Sequence, residues 1–183
     1  MLRLYDRFMG DGSNVNYLED LLRELTEQKV RFVVAGGVAA VLHGVERTTL
    51  DLDIALEMSH ENIERFAKAV STLGLRPLVP VPVEVLCDPL AVRTMVEEKN
   101  AIVFVLADPA MPLRKVDVFL TSELSYENLM TDAVSVELPG IPLRIASVER
   151  LIALKRAVDP PRDKDRFDIL ALERLLHDGE DDE

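Results

Sequence analysis

Two aspartates separated by one residue, Asp51 and Asp53, lie in an otherwise apolar segment that follows a glycine pair, Gly36-Gly37. Side chains at positions i and i+2 of a β-strand point to the same face, so a strand here would place both carboxylates side by side. Two adjacent carboxylates on an apolar strand are unfavourable unless a cation lies between them. A divalent metal ion is the obvious cation, and a nucleoside triphosphate is the obvious ligand for a metal beside a glycine turn.

The glycine pair lies between an apolar segment, residues 31–35, and a short helical segment, residues 38–43. Glycine lets the backbone approach a ligand closely, and the N-terminus of the following helix offers unpaired N–H groups to a phosphate. A tight turn that binds nothing explains the glycines equally well. The combination with Asp51-Leu-Asp53 after 13 further residues is a sharper pattern.

A third acid, Asp117, lies between Val116 and Val118 in another apolar segment. An acid inside an apolar strand needs a partner. If this strand neighbours the strand of Asp51, at roughly 5 Å, three carboxylates converge. Carboxylate oxygens suit Mg²⁺ or Mn²⁺, and two such ions can bind the attacking and leaving oxygens of a transferred group. The competing interpretation is a sheet edge whose acids are solvated.

Strands that alternate with helices in the first two thirds of the chain, followed by helices, predict an α/β fold. The expected strands are residues 31–35, 50–57, 101–107, 114–120, 133–138 and 142–145. Turn residues favour hairpin-type connections within the last two pairs of strands. We expect a core over residues 1–146 and a C-terminal helical segment over 147–183, packed on the core and ending in an acidic tail, 178–183.

The composition narrows the class of protein. The 183 residues include 21 basic and 33 acidic side chains, a formal charge of −12, which disfavours general nucleic-acid binding but leaves room for a local basic patch. The single cysteine, Cys87, excludes an internal disulfide framework and fits a reducing cytoplasm. No segment approaches the roughly 20 apolar residues of a membrane helix, and no secretory apolar core is present near the N-terminus, so we expect a cytoplasmic protein that binds no membrane.

These segments together resemble the DNA polymerase β-like nucleotidyltransferase superfamily. Its pattern is an apolar strand, Gly-Gly or Gly-Ser, a short helix, Asp-x-Asp and a later strand aspartate, and residues 35–56 are similar to AbiEii-type and related minimal nucleotidyltransferases. That branch also carries a late Leu-x-x-x-Lys and a Lys-Asp-x-x-Asp pattern, matched here by Leu151–Lys155 and Lys164–Asp168. The resemblance covers about residues 30–175. It implies a nucleotidyltransferase-fold mixed β-sheet flanked by helices, with C-terminal helices.

The resemblance also implies roles for the acids and glycines. Gly36 and Gly37 would cradle the β- and γ-phosphates of the nucleotide. Asp51 and Asp53 would hold the metal ions, and Asp117 would be either the third ligand or the base that takes the acceptor's hydroxyl proton.

Charge that develops on a leaving pyrophosphate requires fixed cations nearby. By resemblance, Lys155 is the first candidate and Arg47 the second. Without the family pattern, Lys155 would be interpreted as a surface lysine, and Arg47 would pair only with Glu46 or Asp51. Asp168, placed at the nucleotide site by the same pattern, and Asp165 could either orient Lys155 or form a surface network.

The implied activity is transfer of a nucleoside monophosphate from an NTP to a hydroxyl acceptor, with release of pyrophosphate. An RNA 3′ end or a protein side chain ranks above a small molecule such as an antibiotic as the acceptor. Members of this branch are often toxins of toxin–antitoxin or phage-defence pairs, which implies a toxin role and a cognate antitoxin partner. The alternatives are an inactive nucleotide-binding or antitoxin-like module on the same scaffold, and a structural domain with solvated acids.

Overall fold

The computed structural model describes residues 12–158, 160 and 162–180. Within them, seven strands form one mixed sheet flanked by helices, which confirms the predicted α/β fold. The strands are β1 (Phe32–Ala35), β2 (Asp51–Leu56), β3 (Arg76–Pro77), β4 (Val103–Ala107), β5 (Lys115–Phe119), β6 (Val134–Leu138) and β7 (Ile141–Ile145). The α-helices are α1 (Gly12–Glu27), α2 (Gly36–His43), α3 (His60–Thr72), α4 (Pro89–Lys99), α5 (Tyr126–Met130), α6 (Val148–Arg156) and α7 (Asp163–Glu180).

The strand order is β3-β4-β5-β2-β1-β7-β6, so the acid-bearing strand β2 is central. It pairs in parallel with β5 and antiparallel with β1. The interpretation of Asp51 and Asp53 as a solvated sheet edge is therefore wrong. The predicted antiparallel pairs β4–β5 and β6–β7 are both present.

The two faces of β2 have different roles. Leu52, Ile54 and Leu56 are almost fully buried in the hydrophobic core, as the period-two alternation predicts. Helix α3 follows after Ser59, whose hydroxyl accepts a hydrogen bond from the N–H of Asn62 at 3.3 Å and so caps the helix. The core thus anchors one face of β2 and leaves the other face for its aspartates.

Helices α6 and α7 pack on each other, and both contact α2. Helix α6 begins after Ser147, whose hydroxyl accepts a hydrogen bond from the N–H of Arg150. Helix α7 continues through Gly179 to Glu180. The division into a core and a C-terminal segment with an acidic tail over 178–183 stays a prediction. A single glycine destabilises a helix by only about 1 kcal/mol and need not end it. Residues 181–183 lie outside the described residues, within which no helix is long and apolar enough to span a bilayer.

Candidate active site

The structure brings the three acids of the sequence pattern together on one face of the sheet. The parallel register of β2 and β5 sets Asp53 directly opposite Asp117. Directly opposed residues on adjacent strands point to the same face about 5 Å apart, and Asp51 shares that face because it lies two residues before Asp53. The three carboxylates therefore lie on one face near the N-terminal end of β2.

The glycine turn packs directly against this acid cluster. Gly36, at the junction of β1 and α2, has a φ of +58°, a value that favours glycine. A Cβ atom built on Gly36 would overlap the carboxyl group of Asp53. The turn thus needs glycine for two reasons, backbone conformation and contact with Asp53.

Gly36→Ala is expected to lower both stability and any activity of the site. The new methyl group must displace Asp53, in addition to a backbone strain of about 1–2 kcal/mol. Gly74→Ala is the matched control, because Gly74 also has a positive φ, +72°, but has open space around its Cβ position. Thermal unfolding of both variants measures the difference. Equal losses of stability would show that Gly36 is required for its backbone conformation alone.

The electrostatics of the cluster differ between its members. Burial, and then the negative charges of Asp51 and Asp117, raise the pKa of Asp53 to about 6, against the opposing effects of Lys115 and of the Gly37 N–H. Burial also acts on Asp51, but Lys115, a backbone hydrogen bond and the hydroxyl of Thr49 hold the pKa of Asp51 below its ordinary value. The negative charge of Asp53 is therefore less compensated than that of Asp51.

Asp53→Asn is expected to stabilise the metal-free protein at neutral and alkaline pH. Because the pKa of Asp53 rises from 3.8 unfolded to about 6 folded, the wild type loses stability as the pH rises through this range. A shift of two pKa units corresponds to about 3 kcal/mol. The free energy of unfolding of Asp53→Asn should therefore exceed that of the wild type by about this amount above pH 6, and the difference should disappear near pH 4. Denaturant unfolding in EDTA at pH 4 and pH 8 measures it. Asp51→Asn should have the opposite sign, and a pH-independent effect of Asp53→Asn would contradict the expectation.

Sequence reasoning did not find Lys115, the cation that contacts two of the acids. Its Nζ lies 2.9 Å from Oδ2 of Asp117 and 3.4 Å from Oδ2 of Asp51. Lys115 is also the residue directly opposite Asp51 in the β2–β5 register. The signal was available, since a lysine two residues before Asp117 must share its face of the strand.

The chemistry of the cluster fits a divalent cation. Asp117 is only 8% exposed, and its buried Oδ1 has no hydrogen-bond partner. A buried carboxylate oxygen without a partner is unfavourable unless a cation or a proton reaches it. Within the described part of the chain, no three acidic, histidine or cysteine side chains already have metal-ligating geometry, and Lys115 contacts two of the acids instead. The oxygen donors suit Mg²⁺ or Mn²⁺.

A second charged cluster joins the C-terminal helices to the glycine turn. Lys155 on α6 is buried, with Nζ 2.6 Å from Oδ2 of Asp168 and 3.7 Å from Oδ1 of Asp165. Both acids on α7 are 1% exposed, so the interpretations of a surface lysine and a surface network are wrong. Charges buried this deeply persist only with partners, which the three side chains supply to each other.

Arg47 belongs to this cluster as well. Its Nη1 donates a hydrogen bond to Oδ2 of Asp168. The alternative interpretation, in which Arg47 pairs only with Glu46 or Asp51, is therefore wrong, because Arg47 pairs with the buried Asp168 carboxylate, 121 residues away in sequence. Nη2 of Arg47 lies 3.2 Å from the position that a Cβ of Gly37 would take. The guanidinium thus extends from the glycine turn to α7.

Arg162 lies just before α7, and its guanidinium interacts electrostatically with Asp165, Asp53 and Asp51. Its Nε and Nη2 donate to the two carboxylate oxygens of Asp165 at 2.6 and 3.1 Å, while 56% of its side chain remains exposed. The hydrogen bond to Asp165, and then the charges of Asp165, Asp53 and Asp51, raise the pKa of Arg162 above its ordinary value despite some burial.

Comparison with solved structures identifies the architecture. The antibiotic-resistance factor ANT(2'')-Ia, in a solution structure, matches with a TM-score of 0.59 and 16% identity over 92% of this chain and 85% of its own. LnuA, a lincosamide antibiotic adenylyltransferase with lincomycin bound, matches with a TM-score of 0.57 and 16% identity over 87% and 96%. The chain has the nucleotidyltransferase fold. A nucleotidyltransferase-like antigenic protein from Paracoccidioides brasiliensis also matches, with a TM-score of 0.52 and 13% identity over 90% of this chain and 77% of its own.

No protein-family model matches the sequence, and no curated protein is significantly similar to it. The AbiEii-type branch therefore stays a prediction. Within the described residues, carboxylates of Asp51, Asp53 and Asp117 share one sheet face, and the guanidinium of Arg47 lies against the glycine turn beside them.

Proposed function

We propose that this chain moves a nucleoside monophosphate from an NTP to a hydroxyl acceptor and releases pyrophosphate. The observation that carries the proposal is the meeting of Asp51, Asp53 and Asp117 on one sheet face, packed against Gly36. The fold shared with adenylyltransferases supports the same conclusion.

In this proposal, Asp51, Asp53 and Asp117 hold Mg²⁺ or Mn²⁺, and the unpartnered Oδ1 of Asp117 is the most available ligand atom. The bound ions would supply charge neutralisation on the triphosphate and activation of the attacking hydroxyl. Oδ2 of Asp117 is already engaged by Lys115, so Oδ1 is the atom open to either role, metal ligand or acceptor of the hydroxyl proton.

The glycine turn and the cations would bind the phosphates. Because the turn packs against Asp53, a phosphate beside Gly36 and Gly37 lies next to the metal ligands. We place Arg47 ahead of Lys155 as the group that stabilises charge on the leaving pyrophosphate. The guanidinium of Arg47 lies against the turn, whereas the ammonium of Lys155 is held by Asp168 and Asp165. Lys155 then acts as a positioning residue.

The acceptor is a hydroxyl group on RNA, protein or a small molecule. The second ANT(2'')-Ia structure is a complex with adenylyl-2''-tobramycin, with a TM-score of 0.56 and 17% identity over 88% of both chains, and LnuA is seen with lincomycin. These neighbours give a small-molecule acceptor more weight than the sequence pattern did. The toxin role and the antitoxin partner rest on the AbiEii-type resemblance. Growth arrest on induced expression of the wild type, but not of Asp53→Ala, is the result expected of a toxin.

The experiment that tests the proposed function identifies the acceptor class. Each of four α-labelled NTPs is incubated with the protein, Mg²⁺ and one acceptor pool: cell RNA, cell protein, or aminoglycoside and lincosamide antibiotics. Label should enter one pool with the wild type and with Asp20→Asn, an exposed control on α1, but not with Asp53→Ala. Equal labelling by Asp53→Ala would contradict the proposal. Mg²⁺-dependent NTP binding without transfer to any pool would favour the inactive nucleotide-binding module.

A further inference from the structure

Lys115 is placed as a cation of the acid cluster and not as a surface residue. Its ammonium contacts oxygens of two different acids, Asp117 at 2.9 Å and Asp51 at 3.4 Å. The stem is held by β5, where Lys115 pairs with Asp51 across the parallel register. One-third of the side chain remains exposed, so the ammonium has a route to solvent.

We propose that the ammonium of Lys115 is a resident counter-cation of the acid cluster, which a divalent metal ion displaces. The inference rests on the metal-binding part of the proposed function and adds a step to it. Metal binding at this site is an exchange of one cation for another between Asp51 and Asp117.

Competition for the same two carboxylates favours the exchange. A Mg²⁺ ion binds carboxylate oxygens at about 2.1 Å, so an ion on the free Oδ1 of Asp117 that also reaches Asp51 would lie beside the ammonium that contacts Oδ2 of both groups. Two cations cannot both remain against these atoms without strong mutual repulsion. The flexible four-carbon stem of a lysine allows the ammonium to move while its backbone stays in β5.

The exchange has two consequences in opposite directions. Without metal, Lys115 compensates the negative charge of Asp51 and Asp117, so its removal destabilises the metal-free protein. In a variant without the Lys115 ammonium, the divalent ion does not have to displace another cation, so the variant binds the ion more tightly than the wild type does. Displaced Lys115 then lies beside the metal and is available to a phosphate oxygen of the NTP.

The test measures Mn²⁺ binding alone, without nucleotide, by counting free Mn²⁺ with electron paramagnetic resonance. Lys115→Met keeps the length of the side chain and removes its charge. Arg162→Met is the matched control, because Arg162 is coupled electrostatically to Asp51 and Asp53 without an ion pair to either among the described contacts. We expect the Kd for Mn²⁺ to fall at least tenfold in Lys115→Met and less than threefold in Arg162→Met. Lys115→Arg should bind Mn²⁺ as weakly as the wild type.

A second measurement uses the wild type and does not depend on folding of a variant. The side-chain ε-CH₂ resonance of Lys115 should shift on addition of Mg²⁺, since its ammonium leaves the carboxylates. Equal Kd values for Lys115→Met and Arg162→Met, no Mn²⁺ binding by any variant, or a Lys115 resonance that Mg²⁺ does not move would each overturn the inference.

The two proposals can fail separately. Label transfer from an NTP together with an unchanged Kd in Lys115→Met would leave the proposed function intact and remove the role of Lys115. A tenfold lower Kd for Mn²⁺ in Lys115→Met, without label transfer to any acceptor, would support the role of Lys115 and contradict the proposed function.

Discussion

Asp117→Asn is expected to lower the rate of NMP transfer by about 1000-fold while the protein remains folded. The change keeps the shape of the side chain but removes the negative charge opposite Asp53, and with it the proposed metal ligand or proton acceptor. The loss should appear in kcat, because the affected interactions act on the reacting groups. Single-turnover transfer of an α-labelled NMP to the identified acceptor measures it.

The control for this prediction is Asp20→Asn, the same chemical change on an exposed side chain of α1. It should leave the rate unchanged within a factor of two or so, as expected for a surface substitution. An Asp117→Asn protein with at least a tenth of the wild-type rate would contradict the assignment of Asp117 to the reacting site.

Asp168→Ala is expected to destabilise the protein by about 3–5 kcal/mol. Its carboxylate, 1% exposed, is shared by Lys155 and Arg47, so removal leaves two cations in a buried setting with only Asp165 as a remaining partner of Lys155. For a chain of this length the loss corresponds to a fall in Tm of about 10 °C. Reversible thermal unfolding measures it, and transfer activity should fall as well because Arg47 loses its anchor.

Glu173→Ala provides the matched control on the same helix. Glu173 pairs with Arg156 at the surface, where 62% of the arginine side chain is exposed, so its removal should destabilise the protein by less than about 1 kcal/mol. If Asp168→Ala destabilised the protein no more than Glu173→Ala, the buried cluster would not hold α7 and Arg47 in place.

The local pattern of the sequence was enough to predict the strand that carries Asp51 and Asp53, because the period-two alternation depends only on neighbours along the chain. It also predicted the hairpin that contains Asp117, since Asp108 and the prolines Pro109 and Pro112 mark its turn. The convergence of the three acids depended on pairing of β5 with β2. The sequence could not predict this pairing, because parallel pairing is decided by long-range packing. In the structure the two strands pair in the register that sets Asp53 opposite Asp117.

The cations were harder to predict than the acids. The contact of Arg47 with Asp168 joins residues 121 positions apart, and no local pattern contains it. Lys155 was assigned to the pyrophosphate from the family pattern, whereas its burial between Asp165 and Asp168 becomes visible only once α6 and α7 are packed together. Lys115 was missed although its spacing from Asp117 was informative, because the interpretation of that strand considered only its acid.

Diffraction from crystals grown with Mn²⁺ and a non-hydrolysable NTP analogue tests the metal site most directly. An anomalous peak is expected at about 2.1 Å from carboxylate oxygens of Asp51, Asp53 and Asp117, with the triphosphate beside Gly36-Gly37. A Mn²⁺ peak that no oxygen of these three residues contacts, or a triphosphate bound away from the glycine turn, would contradict the central claim that these acids and the turn form one nucleotide–metal site.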